Sequence, residues 1–221
     1  ESIQHESVRS HEIYSLDRGA IISKILAGGL WPVIKQRPFN AIADPKATPR
    51  AIFISGYNSA PLTVDLDLAL SEQTGPFQTG LNVLRRMTDG YVHLTVPEGT
   101  VSETLVNAEG VRIHYVKGPH PAGNVGIQIH HIDPLNPGET IWTISAQHVV
   151  TLGSFFTTGK YDPSMVISIG GPAVKNPTHI NGRTGMQISD LVMDRLHDGD
   201  SRIVSGDVLT GTKIEPLEFI G

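Results

Sequence analysis

The chain has 221 residues, 39% of them hydrophobic and 18% charged, which is enough apolar material for one large packed core or two smaller ones. A formal net charge of -5 excludes nucleic-acid recruitment by bulk charge, which takes clustered Lys and Arg. The absence of cysteine removes disulfides, thiolate zinc sites, cysteine nucleophiles and cysteine-held iron–sulfur clusters together.

In chain order, Ser15 is placed to cap a helix through Leu26, with Ile21, Ile22, Ile25 and Leu26 on one face and Gly28-Gly29 ending it. The stretch from Trp31 to Pro49 reads as irregular, interrupted by Pro32, Pro38, Pro45 and Pro49. Ala51–Ser55 (AIFIS) has the continuous apolar run of a buried strand. Phe77–Met87 is amphipathic, with Leu81, Leu84 and Met87 on one side and Arg85 and Arg86 on the other. Gly90 then stops the helix, and Tyr91–Val96 alternates like a strand. A short helix at Ser102–Ala108 and a strand at Val111–Val116 follow, and helical periodicity returns from Ile144 to Phe156. This alternation predicts an α/β fold, a Rossmann-like layered domain with a mainly parallel sheet over residues 1–160.

Beyond residue 160 the texture changes. Met165–Ile169 reads as a strand, Lys175-Asn176-Pro177 as a turn, and Thr178–Asn181 as the hairpin partner. Ser189–Val192 suggests a short helix and Arg202–Val204 another strand. That order fits a small β-grasp module over residues 161–221. The longest run free of Asp, Glu, Lys and Arg is Thr140–Gly159, and Ser145, Gln147, His148 and its threonines make it too polar to span a membrane. Both termini read as cut from something longer.

Six of the ten histidines lie between His93 and His148, with His130 and His131 adjacent. Ligands to one metal recur every three or four residues on a helix and every second residue on a strand, so the adjacent pair points apart and no metal is expected. No Gly-x-Ser-x-Gly elbow, Gly-x-Gly-x-x-Gly or P-loop occurs, so catalytic residues are expected to be none in this chain. Lys117–Gly123 (KGPHPAG) stands out: it follows the Val111–Val116 strand, where an open α/β sheet presents its ligand crevice, and would bring His120 to the sheet edge. A rigid strand-to-helix turn with His120 facing solvent accounts for it equally well.

Gly118–Gly123 (GPHPAG) with His130, Leu30-Trp31 with Arg37-Pro38-Phe39, Phe156–Gly159 (FTTG), Val166–Pro177 (VISIGGPAVKNP) and Ile203–Gly211 (IVSGDVLTG) resemble the A subunit of the sodium-translocating NADH:quinone reductase, in collinear order over nearly the whole chain. The resemblance implies the middle portion of a longer polypeptide. That portion would be a Rossmann-like domain with some N-terminal residues from a preceding barrel-like domain, then an SLBB-like domain of the β-grasp type. It implies a peripheral subunit on the cytoplasmic face of the bacterial inner membrane. The partners would be the other subunits of the Na+-translocating reductase, integral membrane subunits included, with no nucleic acid.

The family is similar to the flavin-carrying subunit of complex I, in which a glycine-rich loop after the first helix grips FMN phosphate. At the matching place this chain has Gly28-Gly29-Leu30-Trp31-Pro32-Val33-Ile34, where bulky side chains replace small ones. The resemblance thus implies that this chain itself binds no cofactor, FMN, FAD, iron and NADH belonging to partner subunits, with ubiquinone as the ligand it could touch. A quinone needs an apolar slot and donors for two carbonyls. Trp31 and Phe39 are candidates for the slot, and Arg37, Asn40 and His120 for the donors; the same residues are also typical interface anchors. The alternatives are a flavin- or NADH-binding oxidoreductase and a sugar- or polymer-binding module.

Overall fold

The computed structural model describes residues 3–220 and divides into two compact units, Glu1–Asn58 with Leu66–Asp162, and Ser59–Asp65 with Pro163–Gly221. In chain order the first unit holds α1 (Arg18–Ala27), β1 (Lys35–Arg37), β2 (Ala41–Ile42), β3 (Ala51–Ser55), α2 (Leu66–Ala69), α3 (Thr74–Arg85), β4 (Val92–Pro97), α4 (Glu103–Val106), β5 (Arg112–Val116), α5 (Val125–Ile132), β6 (Ile141–Ser145) and α6 (Ala146–Thr158). The second holds β7 (Ser164–Ile169), β8 (Thr178–Arg183), α7 (Ile188–Val192), β9 (Val204–Ser205) and β10 (Thr212–Lys213). The mixed α/β architecture expected from the alternating pattern is present.

The first helix starts later than the sequence suggests. Asp17 caps α1, its carboxylate accepting from the Ala20 amide at 2.8 Å, whereas the Ser15 hydroxyl turns back to Glu12 O at 2.6 Å and closes a preceding 3-10 turn. Ile21, Ile22 and Ile25 are buried as expected, but Leu26 is 45% exposed. The region read as irregular after Trp31 contains a 3-10 turn at Trp31–Val33 and the β1–β2 hairpin. Those strands escape pattern reading because Lys-Gln-Arg has no apolar alternation; their pairing to β6 defines them.

The sheet order is β2-β1-β6-β3-β4-β5, with β6, β3, β4 and β5 parallel and β1 and β2 added antiparallel at one edge. Ile144 and Ser145, expected to open the helix, instead end the strand β6 (Ile141–Ser145), and the helix begins only at Ala146. Ser145 caps α6 and Gly159, in the left-handed region at φ 69°, ends it.

The two faces of the sheet differ. On one, Ile52, Ile54, Leu94, Trp142 and Ile144 pack with α1, α3 and α6 into a large apolar cluster. There α3 and α6 approach so closely that a Cβ on Gly80 would strike Val149 O and one on Gly153 would strike Pro76 O. On the other face, Ala51, Phe53 and Ile141 pack with Ile129 of α5, flanked by Val125, Ile132 and Leu135.

The second unit has its own small core of Ile169, Val174, Ile188 and Leu191. Its β7–β8 hairpin runs antiparallel from Ser164↔Arg183 to Ile169↔Thr178, with α7 beyond it. The pair β9–β10 includes a strand, Thr212–Lys213, that no apolar alternation in the sequence signals. Residues 59–65 join this unit: Ser168 Oγ donates to Leu62 O at 2.8 Å, and the Asp65 amide donates to His179 Nε2 at 3.0 Å.

Candidate functional site

Alternation along each strand assigns side chains to faces. Register pairs place Lys35 with Thr143, Arg37 with Ile141, Thr143 with Phe53, His93 with Arg112 and Thr95 with His114, all on the face that α5 covers. One eight-residue helix is thus set over a face carrying histidines, threonines and cations, and that polar face is where the candidate site lies.

Arg37 is its most telling residue. The guanidinium is half-buried, and its Nε is shut off from solvent with no hydrogen-bond partner among the described residues. Desolvation lowers its pKa from the usual arginine value. Its Nη1 lies 3.9 Å from where a Cβ would sit on Gly126, so it points at the first turn of α5. A desolvated cation with an unfilled donor is costly unless something supplies an acceptor.

The five quinone candidates do not form one cluster. Trp31 is 4% exposed on the opposite face, where its Nε1 donates to Ala43 O at 2.7 Å and its ring meets Trp142 edge-on at 5.5 Å. It is a core residue and presents no open face. Phe39, 89% exposed, and Asn40, at φ 54°, form the tip of the β1–β2 turn. His120 lies in the loop before α5, so of the candidates it is Arg37 and His120 that sit on segments bordering that helix.

Topology also shifts the expected crevice. The chain runs β3 to β4 to β5 in one direction, then returns to place β6 on the other side of β3. The switch point is therefore between β3 and β6, where Ser55 and Ser145 are paired, and not beside the loop after β5. Ser145 Oγ and His148 Nδ1 share a hydrogen bond of 2.8 Å at the α6 N-terminus. Burial, then the nearby Lys35 charge, lowers the His148 pKa, keeping it neutral at pH 7. These residues were missed because the helix was read as starting at Ile144, which absorbs the end of the strand; the β-favouring Ile141-Trp142-Thr143-Ile144 was the available signal.

A second constellation lies toward the amino ends of the strands. His93 is 2% exposed and stacks on Phe53 at 4.5 Å, and its Nδ1 shares a 2.9 Å hydrogen bond with His114 Nε2. Its Nε2 is buried without a hydrogen-bond partner, 3.6 Å from Asp133 Oδ2. Arg50 holds Asp133, Nη1 to Oδ1 at 2.7 Å, and lies 2.9 Å from Glu139 Oε2 through Nε, an ion pair without hydrogen-bond alignment. Burial, then His114, pushes the His93 pKa down to about 4 despite Asp133. Among the described residues no group of three or more His, Cys, Asp or Glu gathers to hold a metal ion, and no helix is long and apolar enough to cross a membrane.

A parallel-centred α/β unit with a cation-bearing polar face, followed by a small antiparallel module, defines the class: an α/β protein with an appended small β-rich domain. Residues 16–161 match the family model described as the NqrA second alpha/beta domain, and residues 166–215 match the NQRA C-terminal domain of SLBB type. The chain belongs to the NqrA family, the A subunits of the Na(+)-translocating NADH-quinone reductase. It is 39% identical over 211 residues to the NqrA of Serratia proteamaculans, covering 95% of this chain and 47% of the relative. With the NqrA of Marinomonas sp. it shares 35% identity over 222 residues, covering 100% of this chain and 49% of the relative. The chain thus spans about half the length of the curated relatives it matches. Among solved structures, an NAD+-reducing [NiFe]-hydrogenase in the H2-reduced state superposes with a TM-score of 0.59 at 13% identity, over 90% of this chain and 44% of that one, a likeness of fold alone.

Proposed function

We propose that this chain acts as a peripheral, accessory part of a respiratory Na+-pumping NADH:ubiquinone reductase, on the cytoplasmic face of the membrane, and that its α5-covered face contacts ubiquinone. Family membership supports the assignment to the reductase, and Arg37, with an orphaned buried Nε and its Nη1 beside Gly126, carries the quinone reading. A quinone carbonyl would give the guanidinium the acceptor it lacks, in a partly desolvated setting where such a bond is strong. The test is Arg37→Ala and Arg37→Lys in the intact reductase, scored for assembly on native gels and for KM and kcat toward ubiquinone. Normal assembly with KM raised about tenfold or more in Arg37→Ala supports the reading. Failed assembly with unchanged kinetics in the residual complex would make Arg37 an interface anchor instead.

The same reading gives flavin, iron and NADH to partner subunits. Leu30, Trp31 and Ile34 are all buried in the apolar cluster, and Pro32 has no amide to donate, so the segment after α1 has neither the open backbone nor the donors for a phosphate cradle. Calorimetric titration of the isolated chain with FMN should show no micromolar affinity, which corresponds to about -8 kcal/mol. Saturable micromolar binding would restore the flavin-binding alternative.

A further inference from the structure

At the amino ends of β4 and β5, opposite the strand carboxyl ends, lies a cavity of about 420 Å³ lined by Arg85, Gly90, Tyr91, Gly110 and Arg112 with two valines. No carboxylate lines it. Neither arginine takes part in an ion pair among the described residues. Each guanidinium is held by an aromatic face instead: Arg112 lies 3.2 Å from the Tyr91 ring centroid and Arg85 5.9 Å from that of Tyr14. Arg85 is also pressed against Gly110, where any Cβ would collide with its Nη1. Gly110 sits at φ 73°, so both space and backbone favour glycine there.

We propose that this cavity binds a phosphate-bearing small molecule, with Arg85 and Arg112 gripping the phosphate oxygens. Aromatic stacking fixes the planar heads and leaves their N–H edges free, which suits the bidentate recognition that guanidinium gives phosphate. The volume falls within the ~300–1,000 Å³ usual for small-molecule sites and leaves room for an organic portion beside the phosphate. Asp89 and Glu109 stand next in sequence to the two lining glycines, so bulk charge does not favour an anion here. Attraction depends on the two forks. Lysine should therefore not substitute for arginine.

The probe is pyrophosphate, titrated into the 221-residue chain and followed by amide chemical shifts, with vesicles containing phosphatidic acid as a parallel arm. Saturable shifts centred on Tyr91, Gly110 and Arg112 are expected, together with a loss of affinity of about tenfold or more in both Arg112→Ala and Arg112→Lys. Both variants should keep the wild-type melting temperature, because Arg112 is exposed and forms no ion pair among the described residues. Saturation by pyrophosphate identifies a soluble ligand, and saturation by vesicles alone a lipid headgroup; either supports the phosphate site. Shifts scattered over the surface, binding unchanged in Arg112→Ala, or no binding in either arm would overturn it.

Discussion

The two faces of the six-stranded sheet answer to different demands. One is sealed by α1, α3 and α6 with aliphatic and aromatic side chains, and its helices touch backbone to backbone at Gly80 and Gly153. The other is covered by α5 and carries Arg37, His93, Thr95, Thr143 and His114. The first face makes the fold; the second holds polar groups at a cost that burial elsewhere must offset. The contrast predicts that substitutions on the sealed face act through packing, and those on the polar face through ionisation, unpaired polar groups or ligand response.

The largest effect should come from Gly153→Val on the sealed face. The added side chain must push α3 and α6 apart at Pro76 O, overpacking that costs about 3 kcal/mol or more and lowers the denaturation midpoint in urea. A midpoint within error of wild type would show that the helices are not held at this contact.

Acid titration comes next. His93, with a folded pKa of about 4 against the ordinary 6.5, is held neutral, so its contribution is fully present above pH 6.5 and is lost as pH falls toward 4. The loss amounts to ~3 kcal/mol, and His114 and His148, both lowered by burial, act in the same direction. Chemical denaturation at pH 7 and pH 4.5 should reveal it, and His93→Phe should flatten the slope. An unaltered slope in that variant would assign the acid sensitivity to other groups.

A smaller loss is expected from Thr95→Val. Thr95 Oγ1 donates to Gln128 Oε1 at 2.7 Å, and both residues are buried. Removing the donor leaves a buried acceptor unpaired, worth about 1–3 kcal/mol, and should speed amide exchange in α5 more than in α3. Equal effects on both helices would mean that the two faces open together. The smallest stability change belongs to Phe39→Ala: an 89% exposed ring contributes nothing to the folded chain, so the melting temperature should stay put. Any change should appear only as weaker incorporation into the reductase.

Much of this division was legible in the residues. The apolar runs of β3 and α3 announced themselves: the first four residues of β3 are buried, and so are Phe77, Leu81 and Leu84 at the helical spacing of α3. The elements missed lie mainly where burial and polarity disagree. β1 is a strand of Lys, Gln and Arg defined by its ladder to β6, and β6 itself merges in sequence with the helix it feeds. The Arg37 environment was unreadable because Gly126 is distant in sequence and adjacent only once α5 folds over the sheet. Trp31, a candidate for the quinone slot, proves interior for a reason no local pattern carries: its indole N–H finds Ala43 O and its ring is buried in the core.

That buried indole also bears on the reversibility of the fold's specialisation. Exchanging Trp31 for the small residue that an anion-gripping loop requires would hollow out the space beside Trp142 and strand Ala43 O, a penalty of about 3–5 kcal/mol. For a domain whose total stability is of the order of 5–15 kcal/mol, that step comes close to unfolding before any cofactor affinity is gained. Trp31 thus works as a ratchet: a lineage carrying it can refine what the other face of the sheet does, but cannot drift one substitution at a time toward an open phosphate loop.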